Sequence, residues 1–216
     1  MMKKIALILL ISVVTLTLNC QIINIINVES GISVSRQDFI YNSSMAGFSE
    51  YAGIEYWENH VYNGIYMNLN SNLGIIRKGG QFKDPNASLM FSNLDYTQEK
   101  LLLNYFSINT TADFKYPLPN KLIPFLGIGP FFGLLLSHSN LDRQFYEIEQ
   151  PRKLEYGLLL NLGLKYSYNE FQFGIKGDYF FNFNKVSSWL GRDINARTFT
   201  ISLVAGYTLN KSSLSK

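Results

Sequence analysis

Residues 199–209 alternate between large apolar and small or polar side chains almost without exception, and this pattern constrains the fold more than any other feature. One side of the segment carries Phe199, Ile201, Leu203, Ala205, Tyr207 and Leu209. The other side carries Thr200, Ser202, Val204, Gly206 and Thr208. Because successive strand side chains point to opposite faces, one face is apolar and the other is mostly small and polar. The pattern predicts a β-strand that lies between two different environments.

The same alternation recurs in six segments upstream, and a seventh predicted strand is apolar on both faces. It is cleanest in residues 154–168 and 171–183, which we interpret as a hairpin joined by Asn169 and Glu170. Less regular strands are predicted at residues 31–36, 52–57, 65–76, 106–116 and 123–137. The last of these contains Gly127, Gly129 and Gly133. Glycines on an inward face would make room for large side chains from across a narrow lumen.

The connections between the eight predicted strands alternate in length. Long polar links are predicted at residues 37–49, 79–100, 139–153 and 187–195, and short links at residues 58–60, 117–121 and 169–170. Membrane barrels have an even number of strands, with short turns at one end and longer loops at the other. Tyrosines cluster near the predicted short turns, as in an interfacial aromatic girdle: Tyr116, Tyr166, Tyr168 and Tyr207.

These patterns predict an all-β fold, an eight-stranded antiparallel up-and-down transmembrane barrel. Closure leaves no unpaired strand edge in lipid. A soluble barrel or sandwich is the alternative, and it would turn its large apolar residues inward and present charge outside. The apolar face of residues 154–168 carries no charge, and the opposite face holds isolated charges among small polar residues. The alternation therefore favours the membrane barrel.

The chain begins with the features of a secretory signal peptide. Lys3 and Lys4 precede an apolar run at residues 5–18, which is short for a spanning helix of about 20 residues. We expect cleavage after Cys20, which gives a signal peptide at residues 1–20, a barrel at 21–209 and a short polar tail at 210–216. In the alternative, a lipoprotein, Cys20 is retained and lipidated, although Asn19 is bulkier than the residue such processing prefers.

Composition excludes several classes of function. Cys20 is the only cysteine, so the mature chain would hold no disulfide, cysteine nucleophile or cysteine-based metal site. Removing Lys3 and Lys4 lowers the formal net charge from +3 to +1, which gives no reason to expect nucleic acid as a partner. The sequence has no phosphate-binding glycine loop, metal-ligand cluster or nucleophile elbow, and no cofactor is predicted.

Four segments resemble the PorT-like outer-membrane β-barrel family of Bacteroidetes-type bacteria: residues 75–80, 103–108, 127–135 and 204–209. The resemblance implies the same barrel fold and a place in the outer membrane of a diderm bacterium. It also implies insertion by the barrel-assembly machinery, which would read Gly206 and Tyr207 in the last strand. The secretion role of the name-giving member is not carried over to this chain.

The predicted inward face carries seven charged residues: Glu55, Asp113, Lys115, Glu155, Lys165, Lys176 and Asp178. The interior of an eight-stranded barrel is just wide enough for side chains to fill it. Buried charges are tolerated when they are paired and hydrogen-bonded. We therefore expect a structural network that plugs the lumen, with a path for protons or solutes along the same residues as the alternative.

The first role predicted from the sequence is non-catalytic: a membrane scaffold whose extracellular loops bind a protein partner, a ligand or lipopolysaccharide. A narrow channel for small solutes is the second hypothesis. A lipid A-modifying enzyme is the third, because some small barrels use a His and a Ser for this chemistry. His60 lies in a predicted periplasmic turn, and His138 and Ser139 are adjacent, so on a strand they would point to opposite faces.

Overall fold

Eight antiparallel strands pair edge to edge until the last strand meets the first. The computed structural model describes residues 23–37, 44–82, 99–139, 151–185, 187–189, 192–194 and 196–209. The barrel strands are β1 (Ile23–Gln37), β2 (Ser44–Tyr62), β3 (Ile65–Phe82), β4 (Glu99–Lys115), β5 (Leu122–His138), β6 (Leu154–Tyr168), β7 (Phe171–Asn182) and β10 (Ala196–Thr208). The short strands β8 (Ser187–Trp189) and β9 (Arg192–Ile194) form a separate two-stranded sheet.

The pairing of β1 with β10 closes the wall. It runs without a register shift from Ile25 opposite Thr208 to Gln37 opposite Ala196. The other strands follow in chain order around the barrel, apart from the excursion into β8 and β9. The predicted eight-stranded antiparallel barrel is therefore confirmed. No helix in the described ranges is long and apolar enough to span a membrane.

The two faces of the wall differ as the alternation predicts. On β10, Ser202 is 1% exposed and its neighbour Leu203 is 68% exposed. Large apolar side chains are exposed around the outside, and the buried set includes many polar and charged side chains. A soluble protein would hide the first set and expose the second. This inverted arrangement is what a barrel surrounded by lipid requires.

The barrel has two distinct ends. One end, here called the turn end, carries the connections β2–β3, β4–β5 and β6–β7, together with Ile23 and Thr208. The other end, the loop end, carries the connections β1–β2, β3–β4, β5–β6 and β7–β10. Exposed aromatic side chains surround the turn end, including all four predicted tyrosines: Trp57, Tyr62, Tyr116, Tyr166, Tyr168, Phe171 and Tyr207.

The first two strands are longer than the sequence pattern indicated. The prediction placed strands at residues 31–36 and 52–57, with a long link at 37–49, whereas β1 begins at Ile23 and β2 begins at Ser44. The link between β1 and β2 is therefore residues 38–43. The prediction failed because the outer face of these strands carries Ser30 and Glu50, which interrupt the apolar alternation.

The predicted short link at residues 58–60 is wrong, since those residues lie within β2. Trp57 has a φ of 52° at a register shift between Tyr56 and Asn59, which is a β-bulge. The bulge shifts the inward–outward alternation of the side chains by one residue. The sequence pattern therefore breaks at this point although the strand continues. The turn lies at Asn63 and Gly64, with φ values of 42° and 81°. This Asn-Gly pair is the preferred sequence for a two-residue hairpin.

The remaining links agree with the prediction to within a few residues, apart from two differences. The predicted link at 79–100 is shorter, because β3 extends to Phe82 and β4 begins at Glu99. The predicted link at 187–195 contains the β8–β9 hairpin. The predicted signal peptide at residues 1–20 and the tail at 210–216 lie outside the described residues.

Inward glycines make room for side chains of adjacent strands. A Cβ on Gly127 would lie 2.0 Å from Oδ1 of Asp113 and 2.4 Å from Oδ1 of Asn161. These two residues are its register partners on β4 and β6. Gly133 has the same relation to Glu155, whereas Gly129 meets the backbone oxygen of Thr110. The expectation that these glycines accommodate side chains from across the lumen is wrong.

The Gly64→Ala variant should reduce the free energy of unfolding by about 1 kcal/mol, because an L side chain is strained at this positive φ. Urea unfolding in lipid vesicles measures the change. Gly177→Ala is the matched control, since its Cβ would sit 3.5 Å from the Phe199 ring, an ordinary contact, without a positive φ. Equal stability of the two variants would contradict the role of the turn.

Candidate functional site

Charged side chains fill the lumen in three groups, and the group nearest the turn end is centred on Glu55. Its Oε2 accepts a hydrogen bond from Lys115 Nζ and another from Asn68 Nδ2, the latter at 3.1 Å. Its Oε1 pairs with Lys165 Nζ. The Lys165 ammonium also lies 5.1 Å from the centre of the Phe125 ring. Four strands, β2, β3, β4 and β6, thus meet at one carboxylate.

The middle group is centred on Lys176 of β7. Its ammonium pairs with Glu29 of β1 and with Asp178 on its own strand, the latter at 3.4 Å. Thr200 of β10 donates to Asp178 at 3.1 Å. This group therefore ties the two strands that close the barrel to their neighbour β7.

Asp113 lies between these two groups and is held by neutral donors. It accepts hydrogen bonds from Thr111 at 2.7 Å, from Asn161 at 3.1 Å and from Asn70 at 3.2 Å. Within the described residues it forms no ion pair. Hydrogen bonds to an ionised group offset much of the cost of burying it.

The group nearest the loop end is a single ion pair surrounded by aromatic rings. Lys78 Nζ lies 2.7 Å from Glu155 Oε1, and Asn182 donates to the other carboxylate oxygen at 3.0 Å. The same ammonium lies 4.8–5.6 Å from the ring centres of Phe180, Phe131 and Tyr105. Cation–π attraction adds to the ion pair in such a geometry.

An apolar layer packs around this pair and occupies the lumen near the loop end. Phe131 and Phe180 meet edge to face with their ring centres 5.1 Å apart. Both rings are 0% exposed. The layer consists of Tyr51, Ile76, Leu103, Tyr105, Phe131, Leu159, Phe180 and Ala196. We call it the upper plug.

All seven sequence-predicted site residues lie inside the barrel and are at most 3% exposed. The structure divides six of them among the three groups and leaves Asp113 between two of these groups, rather than joining all seven in one network. Sequence reasoning missed Glu29 and Lys78, which complete two of the ion pairs. Glu29 lies before the predicted start of the first strand. Lys78 lies between the predicted strand and the predicted loop, although it continues the two-residue spacing of Gly74 and Ile76, which signals an inward position.

The two histidines lie at opposite ends of the barrel and are both exposed. His60 lies in β2 rather than in a turn, where its ring packs edge to face on Tyr66 at 5.2 Å. His138 ends β5, with its Nδ1 3.2 Å from the carbonyl oxygen of Ser139. No group of three or more potential metal ligands occurs among the described residues.

Comparison with known proteins gives one family and several structural neighbours. The family model described as "Outer membrane protein beta-barrel domain" matches residues 14–188, most of the chain. No curated protein matches the chain.

Among solved structures, OprG of Pseudomonas aeruginosa is 10% identical with a TM-score of 0.54, covering 87% of this chain and 96% of OprG. Neisserial surface protein A is 15% identical with a TM-score of 0.47, over 85% of this chain and 97% of that protein. Ail of Yersinia pestis, in complex with a heparin analogue, is 14% identical with a TM-score of 0.47, and the match covers 87% of this chain and 100% of Ail. At these identities the likeness to OprG concerns the fold alone.

Four findings agree with one another: the eight-stranded barrel is closed, its outer face is apolar, its lumen is polar, and the family model matches most of the chain. They place the protein in the outer membrane, where its exposed apolar side chains contact lipid. The chain belongs to the outer membrane protein β-barrel domain family.

Proposed function

We propose that this protein is a closed, non-catalytic barrel of the PorT-like type, a membrane scaffold whose loop end contacts lipopolysaccharide and an extracellular partner. The observation that carries the proposal is the upper plug. Its rings of Tyr105, Phe131 and Phe180 are fully buried, and the Lys78–Glu155 pair fills the space between them. A lumen filled in this way leaves the ends of the barrel as its functional surfaces.

The outer rim at the loop end offers a site for lipid phosphate. Arg36 and Arg197 are exposed and directly opposite each other in the β1–β10 register. Like charges in this position repel each other, and within the described ranges neither guanidinium has a carboxylate partner. Arginine binds phosphate through two parallel hydrogen bonds. The loop end of such barrels faces outward, towards the lipopolysaccharide leaflet.

The surroundings of His138 support a non-catalytic role. Both neighbouring hydroxyls have partners elsewhere: Ser137 Oγ accepts from Asn104 at 2.8 Å, and Ser139 Oγ accepts from the backbone of Leu102 at 2.9 Å. A base and a nucleophile in an active pair lie within hydrogen-bond reach of each other.

A narrow conduit is the second candidate, favoured by buried oxygens without donors in the lumen. Side-chain oxygens of Asn27, Asn72, Asn161 and Asp178 are buried and have no donor among the described residues. Such oxygens could exchange partners with a passing proton or small cation. For solute to cross the barrel, the upper plug would have to move.

The proposal predicts that the wild-type barrel gives no steady current in a planar lipid bilayer. The double variant Phe131→Ala, Phe180→Ala should conduct, because it removes the two central rings of the upper plug. Phe132→Ala is the control, since Phe132 lies on the same strand and is 52% exposed to lipid. A wild-type current that Lys165→Gln or Asp178→Asn alters would support the conduit instead.

The structural role of the Glu55 group, nearest the turn end, can be measured by urea unfolding in vesicles. Glu55→Gln should lower the free energy of unfolding by about 3–5 kcal/mol, because it leaves Lys115 and Lys165 buried together without their carboxylate. The same substitution at Glu170, an exposed turn residue, should change stability little. Equal effects at the two sites would contradict a structural role for Glu55.

Lipopolysaccharide should raise the urea midpoint of the wild-type barrel when it is added to phospholipid vesicles, because a ligand that binds only the folded state stabilises it. The double variant Arg36→Gln, Arg197→Gln should lose most of this increase. Lys121→Gln is the control, because Lys121 is exposed at the opposite, turn end of the barrel. This variant should retain the increase in the urea midpoint. An unchanged increase in the double variant would contradict the rim site.

A further inference from the structure

Glu50 places a carboxylate on the lipid-facing side of the barrel, far from either end. Its side chain is exposed, whereas Ser49 and Tyr51 on either side point inward and are buried. In the register, Glu50 is opposite Ser30 of β1, and Ser30 is opposite Leu203 of β10. Ser30 itself lies between Ile26, opposite the girdle residue Tyr207, and Arg36 at the loop-end rim. Glu50 therefore lies in the central part of the apolar belt.

This position is unfavourable for an isolated charge. An acidic side chain in the lipid layer costs free energy, and ionisable residues there commonly mark functional sites. Within the described part of the chain, the Glu50 carboxylate has no hydrogen bond or ion pair. Arg36 and Arg197 lie on the outer face towards the loop end. Arg77 is nearer, but its guanidinium packs over the Phe48 ring at 4.6 Å and donates to Asn104 at 2.8 Å.

The surroundings of Glu50 differ from the opposite wall of the barrel. Its nearest outward neighbours along β2 are Phe48 and Ala52, with Ala46 one outward position beyond Phe48, and Ser30 stands directly beside it on β1. On β6 the corresponding face carries large apolar side chains without interruption: Leu154, Tyr156, Leu158, Leu160, Leu162 and Leu164. Small residues let two membrane segments approach closely, and polar side chains between them form hydrogen bonds.

We propose that the β1–β2 face binds a second copy of this chain through reciprocal hydrogen bonds between Glu50 of each copy and Ser30 of the other. Two copies inserted in the same direction can be related by a two-fold axis along the membrane normal. That rotation exchanges left and right at the contact, so the β1 of one copy faces the β2 of the other. An acceptor on β2 and a donor directly beside it on β1 are therefore complementary to the same pair on a second copy.

The self-complementary arrangement is what selects a second copy over a basic transmembrane partner. A lysine or arginine from another protein would need only the carboxylate, and Ser30 would have no part in the contact. In an isologous contact the same patch serves both copies, and each hydrogen bond occurs twice. A substitution of either Glu50 or Ser30 should therefore remove both symmetry-related hydrogen bonds at once.

The test measures association of the full barrel in phospholipid vesicles by energy transfer between donor- and acceptor-labelled copies over a range of protein-to-lipid ratios. Wild type should associate, and Glu50→Leu and Ser30→Ala should each associate about tenfold more weakly, since each removes two membrane hydrogen bonds. Glu50→Leu should also unfold at a higher urea concentration, because it removes a carboxylate from lipid. This stability gain shows that the variant folds and that its weaker association is specific.

Thr110→Val is the matched control. Thr110 also faces outward, on β4, but its hydroxyl is already bonded within the barrel to Ser71 at 2.8 Å. This polar-to-apolar change should leave association unchanged. A loss as large as that of Ser30→Ala would contradict the assignment of the contact to β1–β2.

Mixing the two variants tests whether the contact is reciprocal. The Glu50→Leu copy keeps Ser30, and the Ser30→Ala copy keeps Glu50, so a mixed pair regains one of the two hydrogen bonds. Mixed pairs should therefore form more strongly than either variant pairs with itself. Wild type that remains monomeric at every protein-to-lipid ratio, or mixed pairs no stronger than the variant homodimers, would overturn the proposal.

Discussion

The pairing of β1 with β10 is the interaction on which the rest of the structure depends. Lipid offers no partner for a backbone N–H or C=O group, so an open strand edge in the membrane would be costly. The unbroken register from Ile25–Thr208 to Gln37–Ala196 removes that edge. Closure at eight strands also fixes a lumen just wide enough for side chains to fill. The number of strands therefore decides both what faces the lipid and how crowded the interior is.

A crowded interior explains the arrangement of the charges. Each buried carboxylate needs either an ammonium or several neutral donors, and the lumen provides both solutions. Glu55 binds two lysines, whereas Asp113 depends on Thr111, Asn70 and Asn161. Inward glycines such as Gly127 supply the space for these contacts. Because the groups join strands that are distant along the chain, they link the packing of the lumen to the closure of the wall.

The sequence predicted the fold and the inward charges well, and its errors in β1 and β2 share one physical cause. Alternation identifies a strand only while its outer face stays apolar and its pleat stays regular. The bulge at Trp57 shifts the pleat, and for this reason the sequence pattern does not predict the hairpin turn at Asn63 and Gly64. Ser30 and Glu50 break the apolar face, and so β1 and β2 were predicted too short and Glu29 was missed. The same irregularities mark the face proposed for self-association.

The sequence by itself determined that this chain is a barrel with eight strands, an apolar outside and charged residues within. Period-two alternation is a local property, and it assigns each side chain to a face without knowledge of the partner strands. Only the tertiary structure decided which charges pair, since Lys165 and Glu55 are distant in sequence and meet only when the wall closes. The register also decided depth: it places Glu50 in the middle of the belt and Lys78 within the upper plug. Depth depends on strand pairing and tilt around the whole barrel, which no single segment encodes.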